Sequence, residues 1–171
     1  MGFGAVSISK NCFELIRSIL PDGKTILEFG SGFGTSQLGK HYNMYSVENQ
    51  PEWFSKYENV STYINCRSKM YDDDYPAPDI PGNKGWYHPD DLFPNLPKKY
   101  DLILIDGPGG PRWGRGGFYK HIQKFNTDLP MVFDDIRREP ETILMKRVSE
   151  YVGRSYHILY SDNNIGYILG K

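Results

Sequence analysis

Thr25-Ile-Leu-Glu-Phe-Gly-Ser-Gly-Phe-Gly-Thr-Ser36 is the stretch on which the reading of this chain turns. Ile26, Leu27 and Phe29 make a short apolar run of the kind required by a parallel strand covered on both faces. Gly30, Gly32 and Gly34 follow, and residues without a Cβ let the backbone turn sharply and come close to a bound molecule. Residues 35–41 can then begin a helix. A glycine turn between the carboxyl end of a strand and the amino end of a helix is where open α/β sheets bind small molecules. The spacing narrows the choice. A dinucleotide fingerprint is G-x-G-x-x-G, whereas this chain has G-x-G-x-G behind an acidic residue, Glu28, at the strand end.

Outward from that stretch, 171 residues are enough for a single domain that buries roughly 70% of its unfolded surface. Aromatic residues reach 15%, with 13 Tyr, which suits a surface with sticky clefts. The 20 Lys and Arg balance 21 Asp and Glu, so no global field draws the chain to nucleic acid or an anionic membrane, and neither is expected as a partner. Cys12 and Cys66 have no C-x-x-C spacing, which indicates neither a zinc site nor a disulfide framework and fits a reducing, cytoplasmic setting. The first ten residues lack a basic region followed by an apolar core, and no apolar run approaches a membrane span.

In chain order, residues 9–20 place Phe13, Ile16 and Leu20 at helical spacing behind Ser9 as a cap, with Pro21-Asp-Gly23 as the stop. Residues 42–47 read as a second strand ending in Glu48-Asn49. Glu48 stands where an acidic residue accepts hydrogen bonds from a ribose, or else is a solvated carboxylate at a strand end. Pro51 opens a short helix, and residues 60–66 form a third strand whose end, Cys66-Arg67-Ser68, is where an adenine would lie. Residues 71–97 then break into proline-rich loop, with Pro at 76, 78, 81, 89, 94 and 97 and Trp86-Tyr-His88 embedded, so a mobile lid carrying aromatics is expected there. Residues 99–106 form an apolar central strand running into Asp106-Gly-Pro-Gly and an Arg-Gly-rich turn. A helix over 118–125, a fifth strand over 131–133, a helix over 140–152 and a hairpin over 156–169 complete the chain.

The glycine motif and the closing hairpin together resemble the class I S-adenosylmethionine (SAM) dependent methyltransferases, whose first motif reads E/D-x-G-x-G-x-G. The resemblance implies an α/β fold, Rossmann-like and doubly wound, with a mostly parallel seven-stranded sheet ending in an antiparallel hairpin. Asp106-Gly-Pro-Gly and Phe-Asp-Asp-Ile-Arg-Arg-Glu at 133–139 resemble a small bacterial branch with Asp-Gly-Pro and Asp-Asp motifs. That branch is distantly similar to magnesium-dependent sugar O-methyltransferases and plant xylan methyltransferases. By this resemblance SAM is bound by Glu28, Gly30, Ser31, Gly32, Gly34, Glu48, Asn49, Ser68 and Asp106, and Mg2+ by Asp106, Asp134 and Asp135. The acceptor would be a small molecule or glycan methylated at a hydroxyl oxygen.

Physical chemistry permits this. Adjacent parallel strands lie about 4.8 Å apart, so carboxylates at neighbouring strand ends can share one hard cation that polarises a hydroxyl. Alternatively, Asp134 and Asp135 cap the following helix or pair with Arg137 and Arg138. The magnesium enzymes carry a second acidic residue, taken as the base, where this chain has Pro108. His121, with Asp106, is therefore the catalytic candidate. Arg112, Arg115, Arg137 and Arg138 fall on loops at the same edge and suit a carboxylate or phosphate on the acceptor, such as a uronic acid. A nucleic-acid base methyltransferase would call for an Asn/Asp-Pro-Pro-Tyr turn after the fourth strand, which is lacking here. A nicotinamide oxidoreductase conflicts with the glycine spacing and the hairpin. A non-catalytic SAM-binding module stays open, since no base is evident.

Overall fold

The computed structural model describes residues 8–54, 56–71, 80, 84–109 and 113–171. Helix α1 (Lys10–Ile19) is capped by Ser9, whose Oγ accepts the Cys12 amide at 3.1 Å. The order continues with β1 (Thr25–Phe29), α2 (Phe33–Leu38), β2 (Asn43–Glu48), α3 (Pro51–Phe54), β3 (Ser61–Asn65), β4 (Ser68–Met70), β5 (Gly85–Tyr87) and α4 (Pro89–Leu92). Then come β6 (Leu102–Ile105), α5 (Gly117–Lys120), β7 (Met131–Phe133), α6 (Glu139–Val152), β8 (Tyr156–Leu159) and β9 (Ile165–Ile168). Among the described residues no helix is long and apolar enough to cross a membrane.

Seven strands form one sheet in the order β3-β2-β1-β6-β7-β9-β8. The first five are parallel, and β9 runs antiparallel to both β7 and β8, which is the expected mostly parallel sheet closed by a hairpin. Alternation along each strand explains why both faces are covered. Ile26, Leu102, Leu104 and Val132 point to one side, where Cys12 and Ile16 of α1 and Leu38 of α2 bury them. Leu27, Phe29, Ile103, Ile105 and Phe133 point to the other, against Leu144, Met145 and Val148 of α6. β1 sits between β2 and β6, so the connections leave it in opposite directions. That reversal opens a crevice at the strands' carboxyl ends.

Part of the stretch expected as a lid packs into the core: residues 85–87 and Leu92 are buried, while Lys84, Asp90, Pro94 and Asn95 are exposed. Trp86 is 1% and Tyr87 0% exposed, and their rings lie 5.8 and 5.9 Å from that of Phe29. β4 and β5 pair antiparallel as a small second sheet, followed by α4 and a 3-10 turn. Proline excludes a long helix, yet the sheet face above Phe29 still has to be shielded from water, and Trp86, Tyr87 and Leu92 do this instead. The other residues of the expected lid, 72–79 and 81–83, lie outside the described residues. The helix expected over 118–125 is shorter, α5 passing into a 3-10 turn at Ile122–Lys124.

Candidate functional site

A cleft of about 470 Å³ opens at the carboxyl ends of β1, β2, β6 and β7. Its floor is two backbone turns in contact. Gly30 takes φ +94°, and a Cβ there would come within 3.1 Å of the Gly107 amide nitrogen; a Cβ on Gly107 would lie 2.7 Å from the Gly30 Cα. Only glycine meets both demands. Ser31, Gly107, cis-linked Pro108 and Gly109 continue the floor.

Gly32 and Gly34 face inward. The Gly32 amide donates to Thr35 Oγ1 at 3.0 Å, Gly34 is buried in α2, and neither borders the cleft. Glu28 is likewise turned away from it and 1% exposed, its Oε2 accepting the hydroxyls of Thr35 at 2.8 Å and Ser46 at 2.6 Å. Burial lifts its carboxyl to about 8, against the opposing pull of those hydroxyls. In the glycine motif it is a buried strut beneath the turn and does not line the cleft.

Glu48 does border the cleft. Its Oε1 accepts the amides of Asn49 at 2.7 Å and Gln50 at 2.9 Å, which fixes the carboxylate against the wall, while burial raises its pKa. Asn49 and Ser68 bond to each other at 2.7 Å and do not line the cleft. Gln50, Glu52 and Trp53 line it instead. Sequence reasoning missed these three, although a helix opening at Pro51 straight after Glu48 was signal enough that its first turn would stand at the crevice.

On the far wall Asp106, Asp134 and Asp135 approach with one carboxylate oxygen each within 4.8 Å of the others. Asp134, 2% exposed, has its carboxyl raised to about 8 by burial and then by Asp106 and Asp135. Asp106 is also raised by burial, against the pull of Arg115. Between them lies Arg115, its side chain 4% exposed. One terminal nitrogen donates to Asp106 Oδ1 at 3.2 Å and Asp135 Oδ2 at 2.9 Å, and the other to the Asp134 carbonyl at 2.6 Å. Arg138 pairs with Asp135 at 3.0 Å near the mouth, and Asn163 reaches the cleft from the β8–β9 turn. Arg137 bonds the Asp162 carbonyl, and Arg112 lies outside the described residues.

His121 is elsewhere. Its Nε2 bonds the Tyr71 hydroxyl at 2.9 Å, its ring stacks on Trp86 at 5.5 Å, and burial followed by Lys120, Lys69 and Lys124 lowers its pKa to about 4. It does not line the cleft, so the structure does not bring His121 together with Asp106.

No protein-family profile matches the chain, and no curated protein sequence does. Solved structures do. Methyltransferase FkbM from Methylobacillus flagellatus superposes at a TM-score of 0.57 with 9% identity, covering 87% of this chain and 44% of that one. A caffeoyl-CoA O-methyltransferase candidate from Staphylococcus aureus gives 0.52 with 15% identity over 94% and 81%, and an rRNA-methylase candidate from Clostridium thermocellum 0.53 with 7% over 93% of both. The chain has the class I methyltransferase fold. It spans less than half of the FkbM chain, and relatives named for such different acceptors leave the acceptor to be argued from the cleft itself.

Two features of this methyltransferase fold bear on what the cleft can hold. Magnesium fits poorly, because a buried guanidinium already bonds Asp106 Oδ1 and Asp135 Oδ2 and stands among the carboxylates that would hold the ion. Beneath the floor, the Tyr87 hydroxyl is fully buried beside Gly107 without a hydrogen-bond partner among the described residues. A buried hydroxyl left unpaired costs roughly 1–3 kcal/mol, so Tyr87→Phe is expected to be neutral or stabilising in thermal melts. A loss above about 1 kcal/mol would show that the hydroxyl has a partner.

Proposed function

We propose that this chain is a SAM-dependent methyltransferase acting at a hydroxyl oxygen of a small molecule or sugar that carries an anionic group. The observation that carries the reading is Glu48, locked by two backbone amides onto the wall of a cleft whose floor is the Gly30 turn. A carboxylate so held is a rigid acceptor for a ribose diol. Gln50 and Trp53 beside it offer an amide and an aromatic face to a base. The cleft wall is predominantly acidic, with Glu48, Glu52, Asp106 and Asp135 against Arg115 and Arg138, which favours a cationic ligand.

SAM supplies an electrophilic methyl group on a sulfonium. Asp106 borders the cleft and would accept the proton of the acceptor hydroxyl, leaving its oxygen free to take the methyl group that bound SAM would supply. Arg138, whose side chain is 58% exposed at the mouth, can turn from Asp135 to an acceptor carboxylate. The turn after β6 is Asp106-Gly-Pro-Gly in place of the Asn/Asp-Pro-Pro-Tyr turn that would grip a flipped base, which argues against a nucleic-acid acceptor.

Calorimetry with SAM and with S-adenosylhomocysteine tests the reading. Glu48→Ala removes a charge-assisted hydrogen bond of roughly 1.5–3 kcal/mol and should weaken both ligands by about 10- to 100-fold. Unchanged affinity would remove Glu48 from the site. The second reading, a binding module without catalysis, is favoured by the removal of His121 from the cleft. It predicts tight binding with no label transferred from methyl-labelled SAM to sugar acids or other hydroxylated carboxylates.

A further inference from the structure

We propose that the Arg115 guanidinium is the resident cation of this cleft, standing where strand-end carboxylates of this arrangement would otherwise hold a divalent metal. Three acidic side chains at the mouth of a sheet repel one another unless something positive lies between them. Here something does. One Arg115 nitrogen spans Asp106 at 3.2 Å and Asp135 at 2.9 Å, and Nε faces Glu141 Oε1 at 4.0 Å. The carboxyls at 106, 135 and 141 and the backbone carbonyl of Asp134 thus surround one planar cation, and Arg138 supplies a second at the rim.

The backbone is built to hold that arrangement. Asp135 adopts φ +60°, a left-handed conformation rare outside glycine, at the residue whose carboxylate both arginines share. Arg115 is anchored from the other side. The Gly114 amide donates to the Gly85 carbonyl at 2.9 Å, and Gly117 packs so closely on Trp86 that a Cβ there would fall 2.2 Å from the indole. The burial of residues 85–87 therefore fixes where Arg115 enters the acidic cluster. A hard dication needs oxygen ligands at about 2.0–2.6 Å around a common centre, and that centre is taken by a cation that cannot be deprotonated.

Arg115 is then a positioning residue that sets the direction of Asp106 at the cleft. Only this consequence rests on the methyl-transfer reading; the placement of the cation does not. The test is metal binding by the full chain. Millimolar Mg2+ or Mn2+ should leave the wild-type melting temperature unchanged, and Mn2+ should show no stoichiometric binding by electron paramagnetic resonance. Arg115→Ala, which frees the acidic cluster, should melt lower, bind one Mn2+ and recover part of its melting temperature on adding metal; Asp135→Asn in that background should abolish the recovery. Stoichiometric Mn2+ on wild-type protein, lost in Asp135→Asn, would overturn the proposal whether or not Arg115→Ala folds. So would a folded Arg115→Ala that ignores metal. S-adenosylhomocysteine titrated into the same wild-type samples separates the two inferences, since failure to bind it defeats the functional reading and leaves the metal result standing.

Discussion

Trp86→Ala should destabilise the protein by about 3–5 kcal/mol, lowering the melting temperature by roughly 10 °C for a chain of this size. The indole is 1% exposed, lies against Phe29 and Tyr87 and stacks on His121, so its removal leaves a cavity between the sheet and its cover. Because the Gly117 backbone is seated on the indole, the neighbouring turn loses its support too. A cycle with Gly117→Ala makes the contact explicit. That substitution drives a methyl to 2.2 Å from the indole of the wild type, costing roughly 1–3 kcal/mol; when residue 86 is alanine the ring contacts vanish and only the residue 86 Cβ, 2.6 Å away, still has to shift. Denaturant melts of the four proteins decide the matter. A Trp86→Ala loss below about 1 kcal/mol, or additive effects of the two substitutions, would show that the indole does not cover the sheet or carry the Gly117 turn.

The sheet was legible in the sequence because its strands are buried on both faces. Thr25–Phe29 and Leu102–Ile105 have to be nearly continuous apolar runs, and the hairpin after α6 declares itself by its turn residues. Glu48 was legible because a strand end after a glycine turn has one place to be. The Gly30, Gly32 and Gly34 series was only half legible. Spacing shows where a Cβ is forbidden but not whether a ligand or the protein's own backbone is the reason. For Gly30 the neighbour is Gly107, while Gly32 bonds back to Thr35. A run of prolines suggests exposure by composition, although proline restricts only helix and ladder, and Trp86 and Tyr87 among them cover the sheet face. Arg115 sits in a stretch of Arg and Gly whose pattern is that of a solvated turn; nothing local distinguishes it from Arg112. What selects Arg115 is the packing of Gly114 and Gly117 on β5, contacts across about 30 residues of sequence that no periodicity encodes.

Glu28→Gln should make the protein more resistant to unfolding at neutral and mildly alkaline pH, with the gain growing between about pH 5 and pH 8. Burial moves the Glu28 carboxyl from its ordinary 4.5 to about 8 in the folded chain. Within that window the unfolded chain has released its proton while the folded chain retains it. The contribution is therefore fully present below about 4.5 and is lost progressively as pH rises through about 8. Each pH unit in between removes about 1.4 kcal/mol, so the whole effect is on the order of 3–5 kcal/mol. Asp134, lifted to about 8 by burial and its neighbouring carboxylates, adds a loss of the same sign. Glutamine is the informative replacement because the Thr35 and Ser46 hydroxyls both donate to Oε2, and an amide carbonyl accepts them equally well. The glycine turn should keep its strut, and affinity for S-adenosylhomocysteine should stay within a few-fold of wild type. Chemical denaturation across the pH range separates the outcomes: wild-type stability that rises from about pH 5 to 8, or a Glu28→Gln curve parallel to the wild type, would mean that Glu28 ionises freely and reaches solvent or ligand after all.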